Sequence, residues 1–155
     1  MLPTAKVLWP IRFASVPNIV VTVDAATETL ALQVTADRDY WMSGDGLADD
    51  ANGNGDLLAA LTATLEQHTS GATWTVSLNT SFQLVIGLGG SVLTATIEWS
   101  NVLTTADATL FGFTQDSDAT VTNVTDVVSA NQVAGMWRPE KIITEDSKER
   151  SAVVA

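Results

Sequence analysis

The amino-acid sequence predicts a mainly β domain, either a small antiparallel sandwich or a barrel-like two-sheet fold, with one short α-helix and extended terminal arms. Ala, Val, Leu and Thr dominate the composition, which favours strands over a helical bundle. Several short runs alternate apolar and polar residues with the period of two expected of half-buried strands. A length of 155 residues suits one domain with its own core. We divide the chain into an amino-terminal arm (1–17), a β-rich body (18–135) and a carboxy-terminal arm (136–155).

The amino-terminal arm combines prolines with large apolar side chains. Pro3, Pro10 and Pro17 deny residues 1–17 a regular element of their own. The arm nevertheless carries side chains that need burial. We therefore expect it to be extended and to anchor on the body or on a neighbouring molecule. The apolar anchors are Trp9, Ile11 and Phe13.

The body begins with a predicted hairpin and continues, after a helix, with three more strands. "NIVVTVD" and "ATETLALQVTADRDYWM" read as strands, joined by a turn at Asp24 to Thr27. "ATWTVSL", "SFQLVIGL" and "SVLTATIEWS" alternate in the same way and are separated by short turn sequences. "LFGFT" is a short apolar stretch, and the polar run from Asp116 to Gly135 predicts a loop with one edge strand.

Residues 56–68 predict the helix. Asp56 is placed as the amino-terminal cap, and Leu57, Leu61 and Leu65 recur every fourth residue on one face. Gly71 is the expected terminator. This stripe of leucines predicts a helix that covers a sheet face or edge.

The loop before the helix is rich in Gly, Asp and Asn and is a candidate calcium site. Numbered from Asp50, the residues Asp50, Asn52, Asn54 and Asp56 fall at ligand positions of an EF-hand-type loop. Position 12, which should be a bidentate Glu, is Leu61 on the apolar helix face. The loop also lacks the Lys of a phosphate-binding loop. We therefore interpret it as a turn that ends in a helix cap, and we expect no metal or other cofactor.

No residue pattern indicates catalysis. His68 is the single histidine, and no Gly-x-Ser-x-Gly elbow accompanies it. Any two of the eighteen carboxylates could meet in space, but no spacing singles out a pair. Trp74 and Trp99 lie in alternating strands and are expected in the core, whereas Trp9 and Trp137 lie in the arms. We therefore expect a protein that is not an enzyme.

The charge is strongly negative and unevenly distributed. The net charge is −11 at pH 7, which argues against direct binding to nucleic acid. From Asp39 to Trp137 there are eleven carboxylates and no Lys or Arg, while four of the seven basic residues lie between 138 and 150. This asymmetry predicts a carboxy-terminal arm that lies on a neighbour's acidic surface, or one that is simply solvated. No apolar run is long enough to span a membrane, and the chain has no cysteine.

The order of segments resembles virion structural proteins of tailed bacteriophages. The similar segments are the Asp-led helix "DLLAALTATLEQH", then "ATWTVSLNTSFQLVI", then "ATLFGFTQD", then "NQVAGMWRPEK". Leu110-Phe111-Gly112-Phe113 stands where the family pattern has "LLGF", with Phe111 replacing the second Leu. The likeness covers roughly residues 18 to 140 and consists of small and apolar residues.

The resemblance implies a non-enzymatic subunit of the virion, assembled in the host cytoplasm as a symmetric homo-oligomer with other virion proteins as partners. Tail, baseplate and neck are the expected positions. The alternatives are a capsid decoration protein and a receptor- or carbohydrate-binding β-domain. The terminal arms would make the assembly contacts, through Trp9, Ile11, Phe13, Trp137, Arg138 and Lys141.

Overall fold

The computed structural model describes residues 10–42 and 55–134. In this part of the chain, strands outnumber helices, and none of its helices has the length and apolar character to cross a membrane. The elements in chain order are β1 (Ile11–Arg12), β2 (Asn18–Val23), β3 (Ala26–Ala31), β4 (Asp39–Trp41), β5 (Gly55–Asp56), α1 (Leu57–Leu65), β6 (Thr73–Leu78), β7 (Gln83–Gly89), β8 (Thr94–Ile97), a 3₁₀ helix (Ala108–Phe111), β9 (Ala119–Thr122) and β10 (Val127–Gln132).

The strands form two larger sheets and one small sheet. The four-stranded sheet has the order β3-β2-β8-β9, and the three-stranded sheet has the order β10-β7-β6; both are antiparallel throughout. The small sheet, β1-β4-β5, pairs β1 with β4 antiparallel and β4 with β5 parallel. The predicted mainly β fold is confirmed. The small third sheet was not predicted.

One core joins the inner faces of the two larger sheets. Ile19, Val21 and Val23 of β2 alternate inward and are at most 1% exposed. Leu84 and Ile86 of β7 are fully buried in the same cluster. Because the side chains of a strand alternate between its faces, the period of two in the sequence is what places these residues together.

The β2–β3 hairpin is where the sequence predicts it. Val23 pairs with Ala26, which leaves Asp24 and Ala25 in the turn. Asp24 has φ of 52°, a conformation that Asp tolerates better than most residues. Its Oδ1 accepts hydrogen bonds from the backbone N–H groups of Leu93 (3.0 Å) and Thr94 (3.1 Å). The turn is therefore fastened to the start of β8.

The outer face of the four-stranded sheet carries a row of threonines. Thr27, Thr22, Thr96 and Thr120 are successive partners across all four strands. Hydroxyl–hydroxyl distances are 2.6 Å between Thr22 and Thr27 and 3.1 Å between Thr96 and Thr120. Cross-strand Thr pairs of this kind stabilise a sheet by a few tenths of a kcal/mol each, about 0.2 to 1.

Helix α1 begins at the predicted cap. The Asp56 side chain accepts a hydrogen bond from the backbone N–H of Leu58 at 2.9 Å. The predicted leucine stripe is fully buried, and the helix packs mainly against β6, with further contacts to β3 and β5. The stripe is Leu57, Leu61 and Leu65.

The helix ends three residues before the predicted end at His68. Gln67 and His68 donate backbone hydrogen bonds to the carbonyls of Thr64 and Leu65, three residues back, so the chain tightens out of the α-helix. The His68 ring is buried and bonded to the Ala26 carbonyl at 3.1 Å. The helix therefore ends early, next to a residue that makes a tertiary contact. The periodicity of the sequence does not reveal this contact of His68.

The "LFGF" segment, predicted as a short apolar stretch, includes the end of the 3₁₀ helix and places two phenylalanines in the core. Asp107 caps the short 3₁₀ helix by accepting from the Thr109 N–H at 3.0 Å. Phe111 and Phe113 then both stack on Trp99, with ring centroids 6.0 and 5.7 Å away. Gly112 between them has φ of 83°. Beyond this segment both β9 and β10 form, where the sequence predicts a loop and one edge strand.

Candidate functional site

The six predicted assembly contacts fall into two groups. Ile11 and Phe13 lie in the structure, whereas Trp9, Trp137, Arg138 and Lys141 lie outside the described residues. The carboxy-terminal arm (136–155) and residues 1–9 of the amino-terminal arm also lie outside them. Of the amino-terminal arm (1–17), the structure describes residues 10–17.

Residues 10–17, the described part of the predicted amino-terminal arm, pack on the chain's own body. Ile11 pairs with Tyr40 across β1 and β4, and the Arg12 side chain donates to Asp39 at 2.8 Å. This hydrogen bond and the charge of Asp39 raise the pKa of the Arg12 guanidinium. Phe13 is 9% exposed and packs edge-on against Tyr40, with ring centroids 6.1 Å apart.

The structure shows contacts of Ile11 and Phe13 within the chain itself, and the prediction that these two side chains contact a neighbouring subunit stays a prediction. Phe13 lies in the core cluster, and Ile11 packs against that cluster. The sequence shows that an apolar side chain needs burial but not which molecule buries it. The Phe13 carbonyl also accepts from the Asp37 N–H at 2.8 Å, so the segment is fastened by its backbone as well.

Of the candidate calcium ligands, the structure describes Asp56. Its carboxylate is 4% exposed and caps α1. Asp50, Asn52 and Asn54 lie outside the described residues. Within residues 10–42 and 55–134, no three His, Asp or Glu side chains cluster in a way that could hold a metal ion.

We expect millimolar calcium to leave the melting temperature unchanged, because the Asp56 carboxylate is engaged as a helix cap. Asp56→Asn keeps a capping oxygen and removes the charge, so it should behave like the parent with and without calcium. Thermal melts of both proteins in calcium and in chelator check this. A calcium-dependent rise of many degrees that Asp56→Asn abolishes would establish a calcium site at the loop.

The structure brings His68 together with Glu28, Thr69 and Ser70. His68 Nδ1 accepts from the Ser70 N–H at 3.2 Å and lies 3.6 Å from Glu28 Oε1. Nε2 then carries the proton and donates to the Ala26 carbonyl at 3.1 Å. Since both ring nitrogens are engaged and the side chain is fully buried, this histidine is not placed to take a proton from a substrate. The cluster joins the helix end to β3.

Glu28 is the charged member of this cluster. Its carboxylate accepts from the Thr69 hydroxyl and from the Thr69 N–H, the latter at 3.0 Å. The side-chain hydrogen bond from Thr69, and then its backbone hydrogen bond, hold the pKa of Glu28 below its usual 4.5.

Glu28→Gln should have a lower melting temperature than the parent at pH 7, and this difference should disappear in acid. Because the pKa of Glu28 is lower in the folded chain, its contribution is present above pH 4.5 and disappears as the pH falls through the folded value. Thermal melts of parent and variant at pH 7 and pH 3 measure this. Glu66→Gln, at the exposed carboxyl end of α1, is the control. An equal deficit for Glu28→Gln at both pH values would show that the hydrogen bonds to Thr69 contribute no charge-dependent stability.

A groove lies beside β9 and β10. β9 is at the edge of one sheet and β10 at the edge of the other, in the part of the chain that the structure describes. The groove between them has a volume of about 190 Å³; it is lined by Phe113, Asp118, Ala119, Thr120, Val127 and Val128, among others. Sequence reasoning missed it, because the groove depends on which sheet each strand joins.

Among the strands that the structure describes, none pairs with the outer edge of β9. Asn123 donates to the Leu93 carbonyl at 3.0 Å, and Thr122 pairs with Thr94. Along an antiparallel strand, the backbone groups of every second residue bond to the same neighbouring strand. Ala119 and Val121 therefore bond to β8, and the N–H and C=O of Thr120 point away from β8. Thr120 lines the groove.

Comparisons with protein-family models, with curated proteins and with solved structures give no match to this chain.

Proposed function

We propose that the chain is a structural, non-enzymatic subunit of a tailed-bacteriophage particle. It assembles as a symmetric homo-oligomer through its body and its terminal segments, in the tail, baseplate or neck region. The proposal starts from the order of segments that resembles virion structural proteins. The observation that carries the assembly mode is the contrast between the acidic body and a carboxy-terminal segment whose four basic residues balance its four carboxylates.

The body is acidic over its described surface. Residues 10–42 and 55–134 carry eleven carboxylates and two arginines, Arg12 and Arg38. Arg12 is paired with Asp39, and the Arg38 guanidinium lies over the Tyr40 ring at 5.6 Å. Two such bodies repel each other unless uncharged or basic surfaces meet. The four basic residues at 138–150 are interspersed with four carboxylates, so this segment is neutral overall and does not repel a neighbouring body as a second body does.

Exposed apolar side chains at the two ends of the four-stranded sheet supply further contact surface. Val102 and Leu103, in the loop after β8, are 91% and 58% exposed. Leu93 and Val124 are 63% and 85% exposed and lie at the other end of the four-stranded sheet, where Asn123 bonds to Leu93. Apolar residues at both ends of one sheet suit head-to-tail contacts between copies, which form a ring when the rotation between copies closes.

The buried tryptophans favour this function over carbohydrate binding. Trp74 is 5% and Trp99 1% exposed, so neither indole offers a face on which a sugar could stack. Trp41 at the end of β4 is half-buried.

The proposal is tested by oligomeric state and by location. Analytical ultracentrifugation of the purified full chain should give one discrete oligomer. Antibodies raised against it should label particles made by the phage that encodes it, at the tail, baseplate or neck. Labelling over the capsid surface would replace the tail assignment by capsid decoration. A monomer that is absent from particles would overturn the proposal.

A further inference from the structure

The His68 imidazole is a buried titratable group whose two nitrogens bond to different parts of the chain. Its side chain is 0% exposed. Nε2 donates to the Ala26 carbonyl of β3 at 3.1 Å, and Nδ1 accepts from the Ser70 N–H, in the turn between α1 and β6, at 3.2 Å. Because Nδ1 is the acceptor, this arrangement belongs to the neutral imidazole with its proton on Nε2.

A carboxylate of β3 lies beside the same ring nitrogen. Glu28 Oε1 is 3.6 Å from Nδ1, which is longer than a charge-assisted hydrogen bond of about 2.7 to 2.9 Å. Oε1 accepts from the Thr69 N–H at 3.0 Å, and Oε2 accepts from the Thr69 hydroxyl. Each carboxylate oxygen has lone pairs for two hydrogen bonds, so Oε1 can accept a further one.

We propose that the His68 cluster, formed by His68, Glu28, Thr69 and Ser70, is a pH-sensitive switch at the end of α1. When Nδ1 gains a proton it becomes a donor, so it releases the Ser70 N–H and binds Glu28 Oε1 instead. Both hydrogen bonds of the ring then go to β3, and the turn that leads from Ser70 to β6 is freed. This inference is independent of the proposed role in a particle.

Glu28 makes the protonated state of the buried ring attainable. A buried cation is strongly unfavourable unless it is paired and hydrogen-bonded. Closing the 3.6 Å separation requires a shift of less than about 1 Å. The hydrogen bonds from Thr69, its side chain first, hold the pKa of Glu28 below 4.5. Glu28 is therefore ionised over the range in which histidine side chains ordinarily change charge, about pH 5 to 8.

The other charged groups of the adjoining elements do not compete with Glu28 for the ring. Glu66 is exposed at the carboxyl end of α1. Asp24, in the β2–β3 turn, accepts from the backbone N–H groups of Leu93 and Thr94. β6, on which α1 packs, contains no charged residue. Among the described residues, Glu28 is the carboxylate within ion-pair distance of His68.

The turn between α1 and β6 has room to rearrange. Gly71 is exposed and has φ of 79°, and a Cβ there would meet nothing within 4 Å. The Ala72 N–H donates to the Ser70 hydroxyl over a long 3.3 Å. Ser70 is half-buried, so its N–H can turn to water when it leaves Nδ1. The switch therefore leaves no buried donor unpaired.

NMR of the ¹⁵N-labelled full chain between pH 8 and pH 5 tests the switch, and the single histidine makes the imidazole signals unambiguous. We expect the ring to change from one protonated nitrogen to two, and the Ser70 amide signal to change with the same midpoint. After correction for the intrinsic effect of pH, the Ser70 amide should exchange at least about tenfold faster in the protonated state. The Thr69 amide, which keeps its bond to Glu28, is the internal control and should stay protected.

Removing the charge of Glu28 gives a second readout. In Glu28→Gln the imidazolium has no counter-ion, so the midpoint of the Ser70 transition should move to lower pH. The matched control is Glu66→Gln, which removes a carboxylate from the exposed end of the same helix and should move the midpoint less. Thermal melts at pH 7 show whether both variants fold.

Three results would overturn the inference. They are a ring that keeps one protonated nitrogen down to pH 5, a ring that titrates while the Ser70 amide does not respond, and an equal midpoint in the parent and in Glu28→Gln. None of these results bears on the proposed role in a particle, which sedimentation and antibody labelling test separately.

Discussion

Leu61→Asp should lower the free energy of unfolding by about 3 to 5 kcal/mol, or prevent folding. Leu61 is 0% exposed and lies in the middle of the α1 leucine stripe, which packs on β6. The carboxylate would have no partner among the surrounding leucines. Leu61→Ala, which leaves a cavity but no charge, should cost about 2 to 5 kcal/mol.

The matched control is Ala63→Asp, on the exposed face of the same helix. It should cost less than about 1 kcal/mol, since it changes helix propensity alone. Urea unfolding followed by circular dichroism measures all three variants. Equal midpoints for Leu61→Asp and Ala63→Asp would show that α1 does not pack through this face.

Gly112→Ala should also destabilise strongly, because two effects act at one position. Gly112 has φ of 83°, which is unfavourable for a residue with a Cβ. A Cβ there would also press against the Asn131 carbonyl oxygen and would lie 2.6 Å from Ser129 Oγ. The backbone must shift, which disturbs the Asn131 N–H to Gly112 carbonyl bond (3.0 Å) and the neighbouring Phe111. We expect a loss of about 3 kcal/mol or more.

Gly71→Ala separates the two effects. Gly71 has a similar φ of 79°, but a Cβ there would meet nothing within 4 Å. It should therefore cost only the conformational strain, about 1 to 2 kcal/mol. If both variants unfold at the same urea concentration, the close packing of the Gly112 turn against β10 contributes nothing to stability.

The sequence predicted those parts of the fold that depend on local periodicity. The alternation in β2 and the spacing of Leu57, Leu61 and Leu65 each place apolar groups on one face whatever the partner. The Asp56 cap was predictable for the same reason, since a cap bonds to its own helix.

The small third sheet and the "LFGF" turn were not predictable in this way. β1 and β5 are two residues long, too short for any period to appear. β4 meets β5 because the Tyr40 ring lies over Gly55, so closely that a Cβ at Gly55 would collide with it. Phe111 and Phe113 depend on Trp99, which is distant in sequence.

At the candidate sites, too, the sequence predicted features that depend on local composition and missed those that depend on distant residues. The sequence showed that the Phe13 side chain needs burial but not which molecule buries it, because composition does not distinguish one chain's core from another's surface. The His68 cluster and the β9–β10 groove join residues more than ten positions apart, so neither has a local pattern. The charge asymmetry, in contrast, was readable directly from the sequence.

The central claim is that the carboxy-terminal segment joins copies whose bodies fold without it. Its most direct test is the chain ending at Ala134, compared with the full chain by analytical ultracentrifugation and thermal melting. Val133, buried in the core, and the Ala134 N–H bond to Leu110 are retained in this truncation. We predict that the truncated chain no longer forms the oligomer. At a dilution where the full chain is also monomeric, the melting temperatures of the two chains should differ by less than about 4 °C, which corresponds to less than about 1 kcal/mol in the free energy of unfolding. An unfolded truncated chain, or one that assembles as the full chain does, would contradict the claim.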